Sequence, residues 1–203
     1  MGSTRVRRER ARPMRPERRL EALVDVTLDL LREHGLAVTT KQIAEAAGVA
    51  EGTIFRVVDS KDELVDAAIA RAFAPGAVID RIAEIDPDLP LEARLTQLVA
   101  VLQQRFRATF ALMQKVGLVR PPDHLHEGPE ATRWRDCVHE RMCEVLGEDV
   151  AVLRVERDAF LQQLRLLTFA GSHPHIADGD LLTPEQIVST LLHGLLKHPE
   201  GRD

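Results

Sequence analysis

Residues 39–64 read TTKQIAEAAGVAEGTIFRVVDSKDEL, and their pattern predicts how the N-terminal part of the chain folds. It opens on the pattern of a capping box, in which Thr39 and Gln42 satisfy each other's backbone amides at the start of a helix. A helix is therefore predicted to follow Thr39 and to run to Ala47. Gly48 comes next, and because glycine tolerates a left-handed backbone, we expect a tight turn there.

A second, short helix is predicted directly after the turn, over Glu51–Val58. Ile54 and Val58 fall on one of its faces and are expected to be buried, which leaves the opposite face outward. Ser60 and Glu63 then repeat the capping-box pattern and predict the start of another helix. Two helices joined by a tight turn form a helix-turn-helix, whose second helix reads base edges in the major groove of DNA.

Helical periodicity extends on both sides of this motif. A first helix is predicted from Leu20 to His34, closed by Gly35 in a left-handed conformation. Pro75-Gly76 interrupts the helix after the motif, so the chain is expected to divide there. Five more helices are predicted beyond it: Ala77–Ile85, a long helix whose apolar stripe runs from Leu91 to Met113 and which Arg120-Pro121-Pro122 ends, Glu130–Leu146, Val150–Ala170, and a last helix that follows the Thr183 capping box and includes Leu196. The predicted fold is all-α with about nine helices.

The composition favours helices and shows a divided charge. Aromatic residues make up 3% of the 203 residues, fewer than a sheet-rich fold would need. The net charge is −5, yet residues 1–20 contain eight Arg and two Glu and therefore carry +6. Because the acidic remainder repels a polyanion, contact with nucleic acid is expected within the first 61 residues.

Three segments follow from these patterns. We expect a flexible Arg-rich arm over residues 1–17, a helix-turn-helix domain over 18–75, and a larger helical domain over 76–203. No run approaches the roughly 20 apolar residues that span a bilayer, and no signal peptide is evident, so the protein is expected in the cytoplasm. Cys137 and Cys143 point in different directions on a helix and are expected to be reduced.

Nine residues are predicted to contact DNA. Outward side chains of the second helix would face base edges, Gly52 would let the backbone approach the duplex, and residues at helix starts would hold phosphates. The set is Thr39, Thr40, Lys41, Glu51, Gly52, Thr53, Phe55, Arg56 and Lys61. Glu51 is unusual there, because a carboxylate repels phosphate unless it accepts a hydrogen bond from a base such as cytosine.

This part of the chain resembles the DNA-binding domain of the TetR family of bacterial transcriptional regulators. The resemblance is carried by Thr39, Ile43-Ala44, Ala47-Gly48-Val49, Gly52-Thr53, Phe55 and Ser60-Lys61. It implies a homodimeric, ligand-responsive regulator, most often a repressor, which binds a palindromic operator and is released by a small molecule. The family usually has Tyr in place of Phe55 and often His in place of Val57. Arg56 and the arm would compensate for the phosphate-binding groups that these two positions lack.

Two further sets of residues are predicted in the larger domain. A dimer interface is expected on the two last helices, whose apolar residues cover more than one face and would form a four-helix bundle with their symmetry mates. Its residues are Phe160, Leu164, Leu167, Val188, Leu191, Leu192 and Leu195. A pocket for an apolar small-molecule effector is expected between the long helices. It would be lined by Phe106, Phe110, Met113, Trp134, Val138 and Phe169.

Other functions have weaker support in the sequence. A metal-responsive regulator remains an alternative because several histidines and cysteines cluster along the chain, but none has a recurring ligand spacing, so no metal site or cofactor is predicted. These residues are His124, His126, Cys137, His139, Cys143, His173 and His175. Catalytic motifs such as Gly-x-Ser-x-Gly are absent, so no enzyme is expected. A non-specific DNA-binding dimer that uses the arm alone would ignore sequence and lose affinity steeply with salt.

Overall fold

The computed structural model describes residues 16–195, and among them the ordered elements are helices alone. The α-helices are α1 (Pro16–His34), α2 (Thr40–Ala47), α3 (Glu51–Ile54), α4 (Lys61–Phe73), α5 (Gly76–Ala83), α6 (Leu91–Lys115), α7 (Asp123–His126), α8 (Pro129–Leu146), α9 (Arg157–Ser172) and α10 (Pro184–His193). Two 3₁₀ segments cover Gly35–Ala37 and Gly147–Val152. The all-α prediction is confirmed. Within the described residues, no helix is both long and apolar enough to cross a bilayer.

The chain divides between Arg71 and Ala72 into two compact units. The predicted arm lies outside the described residues except for Pro16 and Glu17, which belong to the first turn of α1. Leu196 also lies outside them.

The N-terminal unit is built on a small aliphatic core. The α1 stripe predicted from the sequence is buried, and so are the inward residues of the next three helices, including Ile54 and Val58. The members of this core are Leu23, Val24, Leu28, Leu31, Val38, Ile43, Ala44, Ile54, Val58, Leu64, Val65, Ala68 and Ile69. At roughly 1.5–3 kcal/mol for each large aliphatic side chain removed from water, this burial is what stabilises such short helices.

The core of the larger unit forms around α6, which packs against α8, α9 and α10. A buried arginine joins α6 to α8: Arg94 donates a hydrogen bond to the carbonyl oxygen of Val145 at 2.6 Å and forms an ion pair with Asp149. A positive charge at the C-terminal end of a helix is stabilised by the helix dipole. The segment after α8 is therefore held to α6 by the charged side chain of Arg94, a contact that the pattern of apolar residues does not predict.

The segment that leads into α10 packs closely against a glycine at the end of α9. A Cβ at Gly171 would lie 2.9 Å from Cδ1 of Leu182, closer than real Cβ atoms come. The backbone amide of Leu182 donates to the carbonyl oxygen of Gly171, and its carbonyl oxygen accepts from Nε2 of the buried Gln103. This segment thereby delivers the chain to the Thr183 capping box, which is present as predicted.

Several predicted helix bounds are corrected by the structure. The α-helix predicted over Glu51–Val58 ends at Ile54 and continues as turns in which the amides of Val57 and Val58 donate to the carbonyl of Ile54. The helix predicted over Val150–Ala170 begins only at Arg157, because residues 147–152 are held as a 3₁₀ segment beside Arg94. The long helix ends at Lys115, before Gly117 with φ of 69°.

The two remaining corrections concern helix ends. The last helix stops at His193, and Gly194, with φ of 74°, leads the chain out of it, so Leu195 is not helical. At α4, the Ser60 hydroxyl accepts from the Glu63 amide as predicted, but the Glu63 carboxylate accepts from the Asp59 amide instead of the Ser60 amide. The cap therefore differs from a regular capping box in one respect: the backbone amide that donates to the Glu63 carboxylate belongs to the residue before the N-cap.

Candidate nucleic-acid interface and ligand cavity

The turn between α2 and α3 is closed by two backbone hydrogen bonds. Gly48 has φ of 66° and donates its amide to the carbonyl oxygen of Glu45 at 3.2 Å, and Val49 donates to Ala44 at 3.0 Å. This pair of bonds is a Schellman motif, and it satisfies carbonyl groups that the end of a helix leaves open. Nothing lies within 4 Å of a Cβ built at Gly48, so the backbone angle alone requires glycine there.

The turn leaves one side of α3 uncovered. Glu51, Gly52 and Arg56 are exposed, Thr53 is half-buried, and the Phe55 ring keeps 52% of its surface accessible. A Cβ added at Gly52 would also meet open space. Gly52 has no side chain, and the exposed Phe55 ring lies close to it in sequence. A surface of this kind can approach a DNA duplex closely.

Side chains at the start of α2 lie next to this surface. The Thr40 hydroxyl donates to the Glu51 carboxylate at 2.5 Å, and the Thr39 hydroxyl and amide both donate to Oε1 of Gln42 at 2.9 Å. Lys41 is exposed, with its ammonium 3.9 Å from Glu45. The structure therefore brings Thr40 and Glu51, eleven residues apart in sequence, into direct contact on the predicted DNA face.

Lys61 is placed differently from the other predicted phosphate contacts. Its ammonium donates to the carbonyl oxygens of Leu36, at 3.4 Å, and Val38, at 3.1 Å. Two of its three protons are thus used to hold the loop between α1 and α2. The sequence could not show this, because the acceptors are backbone groups more than twenty positions away.

The larger unit contains a cavity of about 680 Å³. All six residues predicted for the effector pocket line it: Phe106, Phe110, Met113, Trp134, Val138 and Phe169. They come from three different helices, α6, α8 and α9. Phe73 and Pro75, at the C-terminal end of α4 and just after it, also line the cavity.

Aromatic rings form one wall of this cavity. The Phe169 ring meets Phe106 and Phe110 edge-on, at centroid distances of 5.3 and 5.0 Å, and His173 lies 4.4 Å from Phe110. These are favourable edge-to-face separations. His173 was not among the predicted pocket residues, although it lies four positions after Phe169 and therefore follows the same helix face.

Charged residues of the lining are mostly arginines. Among the described residues, Arg105, Arg120, Arg135 and Arg165 line the cavity together with one carboxylate, Asp158. Arg105 donates to the carbonyl oxygen of Ala72, and Arg120 pairs with Asp123 at 2.7 Å. The charge around the cavity is therefore positive in balance. Spacing on α9 could have revealed Arg165, because it precedes Phe169 by one helical turn.

A second group of polar side chains meets beside the cavity. His139 and Cys143 lie one turn apart on α8, with Nε2 of His139 3.6 Å from Sγ of Cys143. Asp158, in the first turn of α9, places Oδ1 3.4 Å from the same nitrogen. Burial raises the pKa of the Cys143 thiol, an effect that the nearby Arg157 guanidinium opposes. Sequence spacing did not reveal this group because Asp158 belongs to another helix.

The predicted dimer interface includes three residues that are buried within this single chain. Phe160, Leu164 and Val188 are 3%, 0% and 1% exposed within this single chain, so their side chains already belong to its core and cannot cover a partner. Leu167, Leu191 and Leu192 pack partly against that core, and Leu195 is exposed beyond α10. Leu166, which was not predicted, is an exposed apolar residue of α9 at 57%, more exposed than Phe169 at 39%. Packing against α6 buries three of the residues that the sequence assigned to a partner, and the interface itself stays a prediction.

Comparisons with known proteins agree with this geometry. Residues 23–68 match the family model described as bacterial regulatory proteins, tetR family. The fold is similar to that of the TetR-like regulator LfrR from Mycobacterium smegmatis, solved in complex with proflavine, at 23% identity and a TM-score of 0.54 over 90% of this chain and 98% of that one.

Two other solved structures share the fold. A TetR regulator from Streptomyces coelicolor matches at 17% identity and a TM-score of 0.52, over 87% of this chain and 97% of that one. A TetR-family regulator from Haemophilus influenzae matches at 18% identity and a TM-score of 0.51, over 89% of this chain and 95% of that one. Since the matched family model covers the helix-turn-helix described above, residues 23–68 are similar to the DNA-binding domain of the tetR family of bacterial regulatory proteins.

Proposed function

We propose that the protein is a homodimeric repressor that binds a palindromic operator through α3 and is released when a small molecule enters the cavity of the larger unit. The observation that carries the DNA-binding part is the turn at Gly48, which leaves Glu51, Gly52 and Phe55 exposed together. Two such surfaces in a dimer would contact half-sites about 34–36 Å apart on one side of the duplex. Such a regulator acts in the cytoplasm, on chromosomal DNA.

The exposed face of α3 suits direct readout of bases. The Phe55 ring offers an apolar surface for thymine methyl groups, and Gly52 allows the backbone to come close to the duplex. Thr39, Lys41 and Arg56 are exposed and suited to phosphates, whereas Lys61 contributes chiefly by holding the loop before α2. The arginine arm would add affinity that does not depend on sequence.

Glu51 has a double role in this proposal. One of its carboxylate oxygens accepts a hydrogen bond from the Thr40 hydroxyl, which fixes the position of that oxygen. The other oxygen can accept a hydrogen bond from the N4 amino group of cytosine. We expect Glu51→Ala to change the base preference at one position of each half-site, at a cost of roughly 1–3 kcal/mol in discrimination. Selection of bound duplexes from a random pool compares the two proteins, and an unchanged recovered motif would remove Glu51 from the reading set.

The same selection tests the whole DNA-binding proposal. A palindrome recovered with the wild-type protein supports a dimeric reader, whereas the absence of any preferred sequence would contradict it. A non-specific binder would in addition lose its affinity steeply as salt is raised, since phosphate contacts alone would hold it.

Dimerisation is proposed through the outer faces of α9 and α10. Ala159, Gln163, Leu166 and Ala170 follow one another at helical spacing on α9, where the two alanines permit close approach of a second helix. Leu192 on α10 and Leu195 just beyond it would extend this surface. This assignment replaces the buried residues Phe160, Leu164 and Val188.

Leu166→Asp tests this interface. A carboxylate placed in an apolar dimer contact loses its hydration without a partner, so the variant is expected to be monomeric with an unchanged helix content. Light scattering and circular dichroism measure the two properties, and Leu36→Asp, which replaces an equally exposed leucine of the N-terminal unit, serves as the control. A dimeric Leu166→Asp protein would place the interface elsewhere.

The effector proposed for the cavity has a flat aromatic body and an acidic group. The phenylalanine wall and Trp134 supply apolar surface, and the arginines supply the positive charge that favours an anion. Such a molecule would contact Phe73, the last residue of α4, whose first turns belong to the N-terminal unit. Movement of α4 would then change the spacing of the two reading helices.

Trp134 provides the measurement, because it is the only tryptophan of the chain. We expect naphthalene-2-carboxylate to change its fluorescence at lower concentration than the corresponding naphthyl amide or the aromatic cation proflavine. Equal affinity for all three would contradict the acidic group, and no response to any aromatic compound would contradict the cavity as the effector site.

A further inference from the structure

We propose that His139, Cys143 and Asp158 form a binding site for a zinc ion at the edge of the cavity. The three side chains each offer one donor atom, and the donor atoms lie within 4.8 Å of one another. His139 and Cys143 are fixed relative to each other by the rigid turn of α8 that separates them. Asp158 is brought to them by the packing of α9 on α8.

Two of the three separations between donor atoms match those around a tetrahedral ion. Zinc lies about 2.3 Å from a thiolate sulfur and about 2.0–2.1 Å from an imidazole nitrogen or a carboxylate oxygen, so neighbouring donors are about 3.3–3.6 Å apart. The sulfur of Cys143 is 3.6 Å from Nε2 of His139, and Oδ1 of Asp158 is 3.4 Å from it. These distances are set before any ion is present.

The arrangement differs from that of a catalytic cysteine. In a nucleophilic triad the histidine uses one ring nitrogen for the nucleophile and the other for the carboxylate. Here Cys143 and Asp158 both face the same nitrogen, Nε2 of His139. A proton relay through the ring is therefore not possible, whereas three donor atoms within 4.8 Å of one another can share an ion.

The donor set selects the kind of metal. A thiolate together with an imidazole and a carboxylate is typical of zinc and its substitute cobalt(II), while calcium and magnesium prefer oxygen ligands alone. Three protein ligands leave a fourth position to solvent. His139 and Asp158 are accessible, with 45% and 74% of their side-chain surface exposed, so an ion can reach them.

A competing contact has to be displaced when the ion binds. Nε of Arg157 lies 3.6 Å from Oδ1 of Asp158, the same oxygen that faces His139. Arg157 itself is exposed and can turn outward into water. When the ion binds, the Cys143 thiol releases its proton to solvent and binds as the thiolate.

Cobalt(II) titration of the full chain, reduced and without an affinity tag, tests the site. A cobalt–thiolate bond gives a near-ultraviolet charge-transfer band, and tetrahedral cobalt gives visible bands. We expect both in the wild type and their loss on addition of zinc. Cys143→Ser should lose the near-ultraviolet band, and His139→Gln and Asp158→Asn should bind cobalt more weakly.

Cys137→Ser is the matched control, because Cys137 lies on the same helix but outside the cluster. It should keep the complete spectrum. The proposal is overturned when the wild type shows no thiolate band with millimolar cobalt, when Cys143→Ser keeps the band, or when Cys137→Ser abolishes it.

A second measurement does not depend on the folding of any variant. Alkylation of the wild-type protein by iodoacetamide, followed by mass spectrometry, reports each cysteine separately. Zinc should protect Cys143 and leave the reaction of Cys137 unchanged, and equal protection or none would contradict the site. Because no effector is added, the outcome is independent of the proposed regulatory function.

Discussion

The N-terminal unit and the larger unit present their functional surfaces by different means. The reading surface of α3 is set by backbone hydrogen bonds around Gly48 and by helix caps within a few residues of one another. The cavity of the larger unit is set by side chains from α6, α8 and α9 that meet only when these helices pack. The shape of the first surface depends mainly on residues close in sequence, whereas the cavity depends on packing between separate helices.

Loss of core packing beside the cavity should have the largest effect. Leu164 is fully buried on α9, and we expect Leu164→Ala to lower the free energy of unfolding by about 2–5 kcal/mol. Met113→Ala deletes a side chain of similar size from the half-buried cavity wall, where fewer atoms surround it, and should cost less. Urea unfolding followed by Trp134 fluorescence compares the two. Equal losses would mean that the cavity wall is packed as tightly as the core.

Replacing Gly48 or Gly117 by alanine should change the free energy of unfolding through the backbone angle and not through packing. Gly48 and Gly117 have φ of 66° and 69°, and a Cβ at either would meet no atom within 4 Å. We expect Gly48→Ala and Gly117→Ala each to cost about 1–2 kcal/mol, the price of a left-handed non-glycine residue. Thermal unfolding measures both variants.

The same two variants distinguish the N-terminal unit from the larger unit by their effect on operator binding. Gly117 closes α6 through an amide-to-carbonyl bond from Leu118 to Met113, far from the reading helix in sequence. Only Gly48→Ala should weaken operator binding, as measured by fluorescence anisotropy at fixed salt. Equal loss of DNA affinity in both variants would show that general destabilisation, not the turn, is responsible.

The smallest effect on stability is expected at Gly52. Its Cβ position is open and its backbone angle is ordinary, so Gly52→Ala should change the free energy of unfolding by less than about 1 kcal/mol. The added methyl group would nevertheless stand on the face proposed to approach DNA and should weaken operator binding at least several-fold. Unchanged affinity would mean that α3 does not come close to the duplex at this position.

Local patterns predicted those elements whose determinants are close in sequence. The capping boxes at Thr39 and Thr183 and the left-handed turns at Gly35 and Gly48 were all found where the sequence placed them. Distant contacts account for what was missed. The start of α9 was predicted too early because Asp149, in the segment before it, pairs with the buried Arg94 of α6.

The chain's own sequence determined the helical class, the helix-turn-helix and the residue types that line the cavity, since periodicity, caps and glycine angles act over a few residues. Tertiary packing decided which face of α9 and α10 is buried, which carbonyl groups Lys61 holds, and which carboxylate joins His139 and Cys143. Those contacts join residues from separate helices, and their energies depend on the relative positions of helices that no single stretch of sequence specifies.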